Sequence, residues 1–233
     1  MRTIGFSHGV MYKSANPSSV ETVEAFLKVA PDIIEINVHQ PERLDEMGPV
    51  IESFKKFSRR SLHLSCGMDY GRNELAKMVM AKSEDLYAKT GCALALVHPD
   101  LVSDWSIFDG SQMKLAVENM DNRKQAFKGI EDFQKFFAEH DDWKLVLDLN
   151  HCFTNDPTLK LAQDFIDSFK PRITEIHLSG FAGFHEPLFQ TKQLDILNYC
   201  KQLPDADIVI ESVIDNPDDL AREYEYIIEN LGK

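Results

Sequence analysis

Residues 145–152 read L-V-L-D-L-N-H-C and contain two groups that bind metals or move protons in proteins. A short apolar run ends in Asp148, and His151 follows three residues later. A carboxylate that ends a buried strand, with an imidazole just beyond it, is typical of a metal or catalytic site at the carboxyl edge of a sheet. The motif alone is weak, because an aspartate in this place often only caps the following turn.

Similar groups lie at or near the ends of other apolar runs, namely His63, His98, Glu118, His177 and Glu211. All of the eight histidines except His140 fall on or just after a predicted strand. Each of them alone is more often a hydrogen-bonded core or loop residue. As a set they would repel one another or stay unsatisfied unless a cation lay among them. Mixed nitrogen and oxygen ligands favour zinc, manganese, iron or cobalt over calcium.

The elements that must position these groups alternate between strand and helix. Apolar runs predict eight strands, at residues 3–7, 33–37, 62–65, 93–97, 115–118, 145–148, 173–178 and 208–211. Helical periodicity between them predicts helices that include residues 44–57, 73–89, 130–140 and 191–202, and the Asp156-Pro157 pair predicts a further helix start. A short polar loop at residues 100–112 replaces the fourth helix.

Strict alternation of strand and helix implies a parallel sheet, and eight units imply closure into a single (β/α)8 TIM barrel over residues 1–233. An open doubly wound sheet is the alternative, but it would not bring six strand ends to one point. Glu35 lies inside the second strand. We expect it to pair with a buried arginine or lysine rather than to act in catalysis.

The composition indicates which general class of protein this is. With 43% hydrophobic and 27% charged residues, no long apolar run and a strand directly at the N-terminus, we expect a cytoplasmic protein without a membrane partner. The four cysteines are widely spaced, which predicts buried thiols rather than disulfides. A net charge of -13 argues against a broad basic surface for nucleic acid, although a local basic groove stays open.

The succession of Glu118, Asp148 with His151, His177 and Glu211 resembles the xylose isomerase-like superfamily of TIM barrels. That superfamily includes small sugar and sugar phosphate isomerases and epimerases, and the endonuclease IV group, also called AP endonuclease family 2. The resemblance covers nearly the whole chain as an order of strands.

Resemblance to the endonuclease IV branch implies three zinc ions. It assigns His63, His98 and Glu118 to the first ion, and Glu118, Asp148, His177 and Glu211 to the second. The third ion would be held by His151, His185 and an aspartate two residues before the latter, but that position is Gly183 here. The chain is also short and acidic for the loops with which this branch grips DNA.

Resemblance to the sugar epimerase branch implies one Mn²⁺ or similar ion, held by Glu118, Asp148, His177 and Glu211. The two glutamates would also be the catalytic acid–base pair, and His151 would contact a substrate hydroxyl. This branch carries an arginine where Gly183 stands, and it leaves His63 and His98 unused. We expect His185, and Trp105 in the loop over the site, to line the substrate pocket.

We therefore expect a divalent-metal-dependent barrel enzyme with one to three zinc or manganese ions. A sugar or sugar phosphate isomerase or epimerase ranks narrowly ahead of a zinc phosphodiesterase acting on abasic DNA. A catalytically silent metal-binding barrel is the third alternative. The sequence leaves open the substrate, the identity and number of the metal ions, and whether the chain forms a homo-oligomer.

Overall fold

Eight parallel strands close into a barrel in the computed structural model, which describes residues 2–232. The strands are β1 Ile4–Ser7, β2 Ile33–Asn37, β3 Arg59–His63, β4 Leu94–Val97, β5 Leu115–Glu118, β6 Lys144–Asp148, β7 Ile173–Leu178 and β8 Asp207–Ile210. They follow one another around the barrel in chain order, and β1 pairs with both β2 and β8. The predicted TIM barrel is confirmed.

Helices surround the barrel: α1 Val20–Val29, α2 Arg43–Glu46, α3 Ile51–Phe54, α4 Glu74–Thr90, α5 Ile130–Glu139, α6 Leu149–Asn155, α7 Lys160–Phe169, α8 Leu188–Thr191, α9 Leu194–Cys200 and α10 Asp219–Leu231. Between β4 and β5 the chain forms only two 3-10 turns, Pro99–Leu101 and Trp105–Phe108, so the fourth helix is reduced as predicted. No helix within residues 2–232 is long and apolar enough to cross a bilayer.

Alternation along the strands decides which side chains enter the barrel. Leu94, Leu96, Ala116 and Val146 form a small apolar cluster of their own, separate from the larger core that includes the helices. Glu118 comes two residues after Ala116, and Asp148 comes two residues after Val146. Because successive side chains of a strand point to opposite faces, these two carboxylates enter the barrel on the same face as the cluster, nearer its carboxyl end.

Helix boundaries differ from the expectation near Pro49 and Asp156, and the predicted helix over residues 191–202 is divided between the end of α8 and α9. The predicted helix over residues 44–57 is broken into α2, a 3-10 turn at Gly48–Val50 and α3. Pro49 lies in this turn and cannot donate a backbone hydrogen bond, which interrupts the helical ladder. Asp156 does not begin a helix but follows α6, and its carboxylate accepts hydrogen bonds from the amides of Thr158 and Leu161.

Candidate metal centre

Four side chains meet at the carboxyl ends of β5 to β8, namely Glu118, Asp148, His177 and Glu211. One ligand atom from each lies within 4.8 Å of the others. His177 Nδ1 is 3.3 Å from Glu118 Oε1 and 3.3 Å from Glu211 Oε2. Metal–ligand bonds of about 2.0–2.2 Å put neighbouring ligand atoms about 3–3.5 Å apart, so this spacing fits a shared cation. The structure thus brings the four predicted residues together.

Asp148 is fixed by the backbone around it. It ends β6 and begins α6, where its Oδ1 accepts the amide hydrogen of His151 at 2.7 Å. The side chain of Asn119 brackets the same residue, accepting from the Asp148 amide at 2.7 Å and donating to the Asp148 carbonyl at 2.9 Å. Asp148 Oδ2 is buried and has no hydrogen-bond partner within residues 2–232. A buried carboxylate oxygen without a partner is costly, and a metal ion would satisfy it.

The electrostatics of the four residues favour a bound cation. Burial raises the pKa of Asp148 to about 7, and the carboxylates of Glu118 and Glu211 add to the rise. Burial opposes charge on His177 as well, yet the carboxylates around it hold its pKa well above the usual value. The metal-free centre therefore retains protons, which a divalent cation would displace on binding.

A second pair of carboxylates lies behind His177, inside the barrel. His177 Nε2 is 2.9 Å from Glu35 Oε2 and 3.6 Å from Glu175 Oε1. Glu35 and Glu175 are both fully or almost fully buried, and burial raises the pKa of Glu175. The expected pairing of Glu35 with arginine or lysine was wrong, because β2 directs its side chain toward His177. The contact is an ion pair without hydrogen-bond geometry, since neither His177 Nε2 nor Glu35 Oε2 has a hydrogen-bond partner within residues 2–232. A carboxylate beside the second ring nitrogen commonly supports a metal-binding histidine and raises its basicity.

His63 and His98 approach the other oxygen of Glu118. His98 Nε2 lies 3.2 Å and His63 Nε2 3.6 Å from Glu118 Oε2, which is buried and lacks a hydrogen-bond partner in the described part of the chain. The thiol of Cys66 completes the group: its Sγ is 3.7 Å from His63 Nδ1 and 3.9 Å from His98 Nε2. Glu118 therefore faces two separate clusters, one through each oxygen.

Protonation of this second cluster is shared among its members. Burial disfavours charge on His98, but Cys66 and Glu118 raise its pKa to about 10. Burial likewise opposes ionisation of Cys66, and the imidazoles of His63 and His98 hold the pKa of its thiol well below the usual value. From the sequence alone, Cys66 was predicted to be an ordinary buried thiol. Its position three residues after His63, in the turn that follows β3, was the signal that could have singled it out.

His151 and His185 face each other across the site without a third ligand. Their rings lie 5.7 Å apart; His151 Nδ1 is 2.7 Å from the Asn119 carbonyl, and His185 Nδ1 is 3.0 Å from Ser179 Oγ. No histidine, cysteine or acidic residue between residues 2 and 232 completes a group of three with this pair. The structure therefore does not assemble the third ion site implied by resemblance to the endonucleases.

The loop that contains Gly183 explains why nothing replaces the missing aspartate. Glu186, three residues on, has a carboxylate that accepts hydrogen bonds from the amides of Ala182 and Phe184, at 2.6 and 3.0 Å. These amide bonds hold the pKa of Glu186 below its usual value, although burial acts in the opposite direction. The carboxylate is occupied in shaping the loop and is not directed at His151 or His185.

Trp105 lies elsewhere than expected. Its ring packs against Phe136, His140 and Trp143, with ring centroids 4.7, 5.4 and 5.5 Å away. It is not among the residues that line the cavity described next. The expectation that Trp105 contacts substrate is corrected: the 3-10 turn at Trp105–Phe108 directs the ring toward α5 and the start of β6 rather than over the barrel mouth.

A cavity of about 550 Å³ opens above the two clusters. Among the residues that line it, His63, His98, Glu118, His151, His185 and Glu211 belong to the predicted site. The side chain of Glu211 is 15% exposed, whereas that of Glu118 is only 1% exposed. Three cationic side chains, Arg43, Arg123 and Lys124, also line the cavity, and each is paired with a nearby carboxylate. The volume is that of a small-molecule site.

Comparisons with solved structures agree with this fold. D-Allulose 3-epimerase from Methylomonas sp. superposes with a TM-score of 0.68 at 15% identity, covering 99% of this chain and 98% of that chain. Endonuclease IV from Thermus thermophilus superposes with a TM-score of 0.70 at 16% identity, covering 98% of each chain. The probable 3-DHS dehydratase AsbF from Bacillus anthracis gives 0.67 at 13% identity, covering 97% and 98%. This chain therefore has the same TIM-barrel fold as these neighbours. No protein-family model and no curated protein matches the sequence.

Proposed function

We propose that this chain is a divalent-metal-dependent enzyme that isomerises or epimerises a small sugar or sugar phosphate. The observation that carries the proposal is the placement of Glu118 and Glu211 on either side of His177 Nδ1, at the floor of a cavity of small-molecule size. Two carboxylates around one substrate carbon are what a proton transfer between carbons or faces requires.

The residues present fit a metal ion, because Asp148 Oδ2 and Glu118 Oε2 are buried oxygens without hydrogen-bond partners in residues 2–232. Glu118, Asp148, His177 and Glu211 would hold the ion. When bound, the cation would polarise the carbonyl and hydroxyl oxygens of the substrate and so acidify the adjacent C–H. One glutamate would then remove the proton from carbon, and the other would return it to a different carbon or face.

The histidines that lack a third ligand would orient the substrate. His151 Nδ1 lies 2.7 Å from the Asn119 carbonyl, a contact that needs the hydrogen on Nδ1 and leaves Nε2 free to accept a substrate hydroxyl. Burial lowers the pKa of His185 to about 4, so this ring would be neutral at physiological pH and able to hydrogen-bond a hydroxyl without adding charge.

The size and charge of the cavity favour a small substrate over a polymer. Of the neighbours, the Methylomonas D-allulose 3-epimerase has been solved with D-allulose bound. Arg123 and Lys124 at the cavity wall would bind the phosphate of a sugar phosphate by turning from Asp121 and Asp100, since guanidinium and ammonium groups are common phosphate ligands. The net charge of -13 works against a polyanion such as duplex DNA.

The test is isotope exchange with protein of known metal content. In deuterium oxide, the metal-loaded chain would place deuterium at the carbon next to the carbonyl of a substrate ketose, provided the proton exchanges with solvent between removal and return. Glu118→Gln and Glu211→Gln keep an oxygen ligand but lose the titratable base, so exchange would collapse even where metal remains. Undiminished exchange in either variant would contradict the assigned acid–base role.

A zinc phosphodiesterase acting on abasic DNA is the second candidate. It is favoured by the approach of His98 and His63 to Glu118 Oε2, which a one-metal isomerase does not need. Duplex DNA with a single abasic site is one defined substrate, so this assay comes first. Efficient strand cleavage that falls with rising salt and is abolished in Glu118→Gln would overturn our ranking. Failure of both assays by a metal-loaded chain would favour a catalytically silent barrel.

A further inference from the structure

We propose that Cys66 is a thiolate ligand of a metal ion held together with His63, His98 and Glu118, beside the isomerase centre. The family resemblance of the sequence accounts for His63 and His98 but gives Cys66 no role. The inference shares Glu118 with the proposed isomerase site. It does not depend on the sugar reaction.

The first support is the spacing of the ligand atoms. One atom each from His63, Cys66 and His98 lies within 4.8 Å of the other two. Zinc bonds of about 2.0–2.1 Å to nitrogen and about 2.3 Å to sulfur place the two ligand atoms about 3.5 Å apart in a tetrahedral site. The observed 3.9 Å from Cys66 Sγ to His98 Nε2 needs only a small contraction.

The second support is the orientation of His63. Its Nδ1 lies 2.9 Å from the carbonyl of Leu64, which fixes the hydrogen on that nitrogen. Its Nε2 is therefore the atom with a lone pair, and this atom faces Glu118 Oε2 at 3.6 Å. Cys66 Sγ lies 3.7 Å from Nδ1 of the same ring, so the thiol must rotate toward Nε2 for both to bind one ion. A hydrogen bond from one ring nitrogen to a backbone carbonyl is the usual support for a metal-binding histidine.

The third support is the oxygen opposite these groups. Glu118 is 1% exposed, and its Oε2 has no hydrogen-bond partner in the part of the chain that the structure describes. This atom lies 3.2 Å from His98 Nε2, the length of one edge of a tetrahedron of nitrogen and oxygen ligands. Glu118 is not part of the group of three whose ligand atoms lie within 4.8 Å of one another, but its Oε2 lies close to both imidazoles. It is therefore the group placed to become the fourth ligand when the thiol moves toward an ion.

The ligand set determines which ions fit. Soft thiolate with imidazole suits zinc and cobalt, whereas magnesium and manganese prefer oxygen ligands. Binding forms a sulfur–metal bond and releases the thiol proton to solvent, with no change of oxidation state. Cys66, His63 and His98 all line the cavity, so an ion at this place can be reached from solvent. All four cysteines are free thiols, and no disulfide competes for Cys66.

The experiment uses cobalt(II) as the probe, because thiolate coordination to cobalt gives a near-ultraviolet charge-transfer band that nitrogen and oxygen ligands do not give. The full chain is stripped with a chelator, and cobalt is titrated while the spectrum is recorded. We expect the band to reach its full height by two equivalents per chain, because the other centre also takes up cobalt, and to be absent in Cys66→Ser. The other three cysteines remain in that variant and serve as an internal control.

Cys152→Ala is the matched control, since Cys152 is a buried thiol beside Asp148 and the other cluster. It would keep the full band. Zinc affinity, measured by competition with a chromophoric chelator, would fall in Cys66→Ser by at least about tenfold to a hundredfold, the range for losing a residue that merely supports a ligand. Circular dichroism and a second variant, Cys66→Ala, separate ligand loss from misfolding.

The outcomes distinguish this inference from the proposed function. A band that persists in both Cys66 variants, or a folded wild-type chain that binds cobalt without any band, would overturn the assignment of Cys66. A chain that shows the band but exchanges no deuterium into any sugar would leave the assignment intact and count against the isomerase alone. Deuterium exchange into a sugar without the charge-transfer band would support the isomerase and count against Cys66 as a metal ligand.

Discussion

His177 Nε2 lies 2.9 Å from Glu35 Oε2, while Nδ1 of the same ring lies 3.3 Å from both Glu118 and Glu211. One imidazole thus connects a carboxylate inside the barrel to the two carboxylates at the cavity floor. Glu35 is on β2 and His177 on β7, two strands that do not pair with each other. The orientation of this ring therefore depends on closure of the barrel rather than on any local motif.

Glu35→Gln tests that connection. Gln has nearly the same shape but no charge, so the His177 ring loses the carboxylate that orients it and raises its basicity. We expect metal affinity at the Glu118 centre to fall by about tenfold to a hundredfold with the fold intact. Competition titration with zinc or manganese measures it. Glu175→Gln is the control, because Glu175 is farther from Nε2, at 3.6 Å; an equal loss in both variants would contradict the specific role of Glu35.

Asp148→Asn is expected to change the free energy of unfolding in opposite directions with and without metal. Burial raises the pKa of Asp148 to about 7 from 3.8, so the folded metal-free chain is destabilised as pH rises through that window. Asn removes this cost and can still accept the His151 amide hydrogen. In excess chelator above pH 7, the variant is expected to be more stable by up to about 4 kcal/mol.

With saturating zinc the order is expected to reverse, because the wild type gains binding free energy that the variant has lost. Denaturant unfolding of both proteins, each with chelator and with zinc, checks the four values. A variant that is destabilised by a similar amount in both conditions would show that Asp148 serves the fold and not a metal ion.

His8 is expected to make the chain sensitive to mild acid. It is fully buried, its Nδ1 accepts the amide hydrogen of Asn37 at 2.8 Å, and burial lowers its pKa from 6.5 to about 4. The unfolded chain therefore binds a proton more readily, so the stability is fully present above pH 6.5 and is lost as pH falls toward 4. The loss amounts to about 3 kcal/mol.

His8→Asn keeps an acceptor near the Asn37 amide but cannot titrate, so its stability is expected to fall less than that of the wild type over this window. His39→Asn is the control, because it removes an exposed histidine. Denaturant unfolding with chelator at several pH values between 4 and 7.5 gives the slope of the free energy of unfolding against pH for each protein. Equal slopes for His8→Asn and wild type would contradict the prediction.

Trp105→Ala is expected to separate stability from chemistry. The ring contributes to an aromatic cluster with Phe136, His140 and Trp143, so its loss would lower the free energy of unfolding by about 3 kcal/mol. Metal content per folded chain would not change, because the ring is outside the cavity. Elemental analysis and denaturant unfolding test the two statements. Loss of metal in a variant that remains folded would show that Trp105 does contribute to the metal site.

Strand ends were the part of the site that could be predicted from sequence. A run such as residues 145–148 is apolar on both faces until it reaches Asp148, and barrel closure then gathers all such ends. Glu35 could not be assigned in this way. Its partner depends on which strands face each other across the interior, and a carboxylate inside a buried run carries no local signal for a histidine on β7.

The remaining differences arose in the connections. The side chains of Cys66 and Trp105 are oriented by the turns in which they lie. Hydrophobic periodicity predicts which way a side chain points only within a regular helix or strand. The helix α6 was missed because Asp148 both ends a strand and caps a helix without an intervening residue. A pattern that assigns each residue to one element does not detect such a shared boundary.

The two oxygens of Glu118 face different clusters, and this has a thermodynamic consequence for loading. An ion on the Oε1 side would draw electron density from the carboxylate and place positive charge a few ångströms from the Oε2 side. Binding at the two proposed centres would then be anticooperative, and linkage requires that each ion weaken the other by the same factor. Under limiting metal the two centres would fill one after the other, the one with the higher affinity for the ion first.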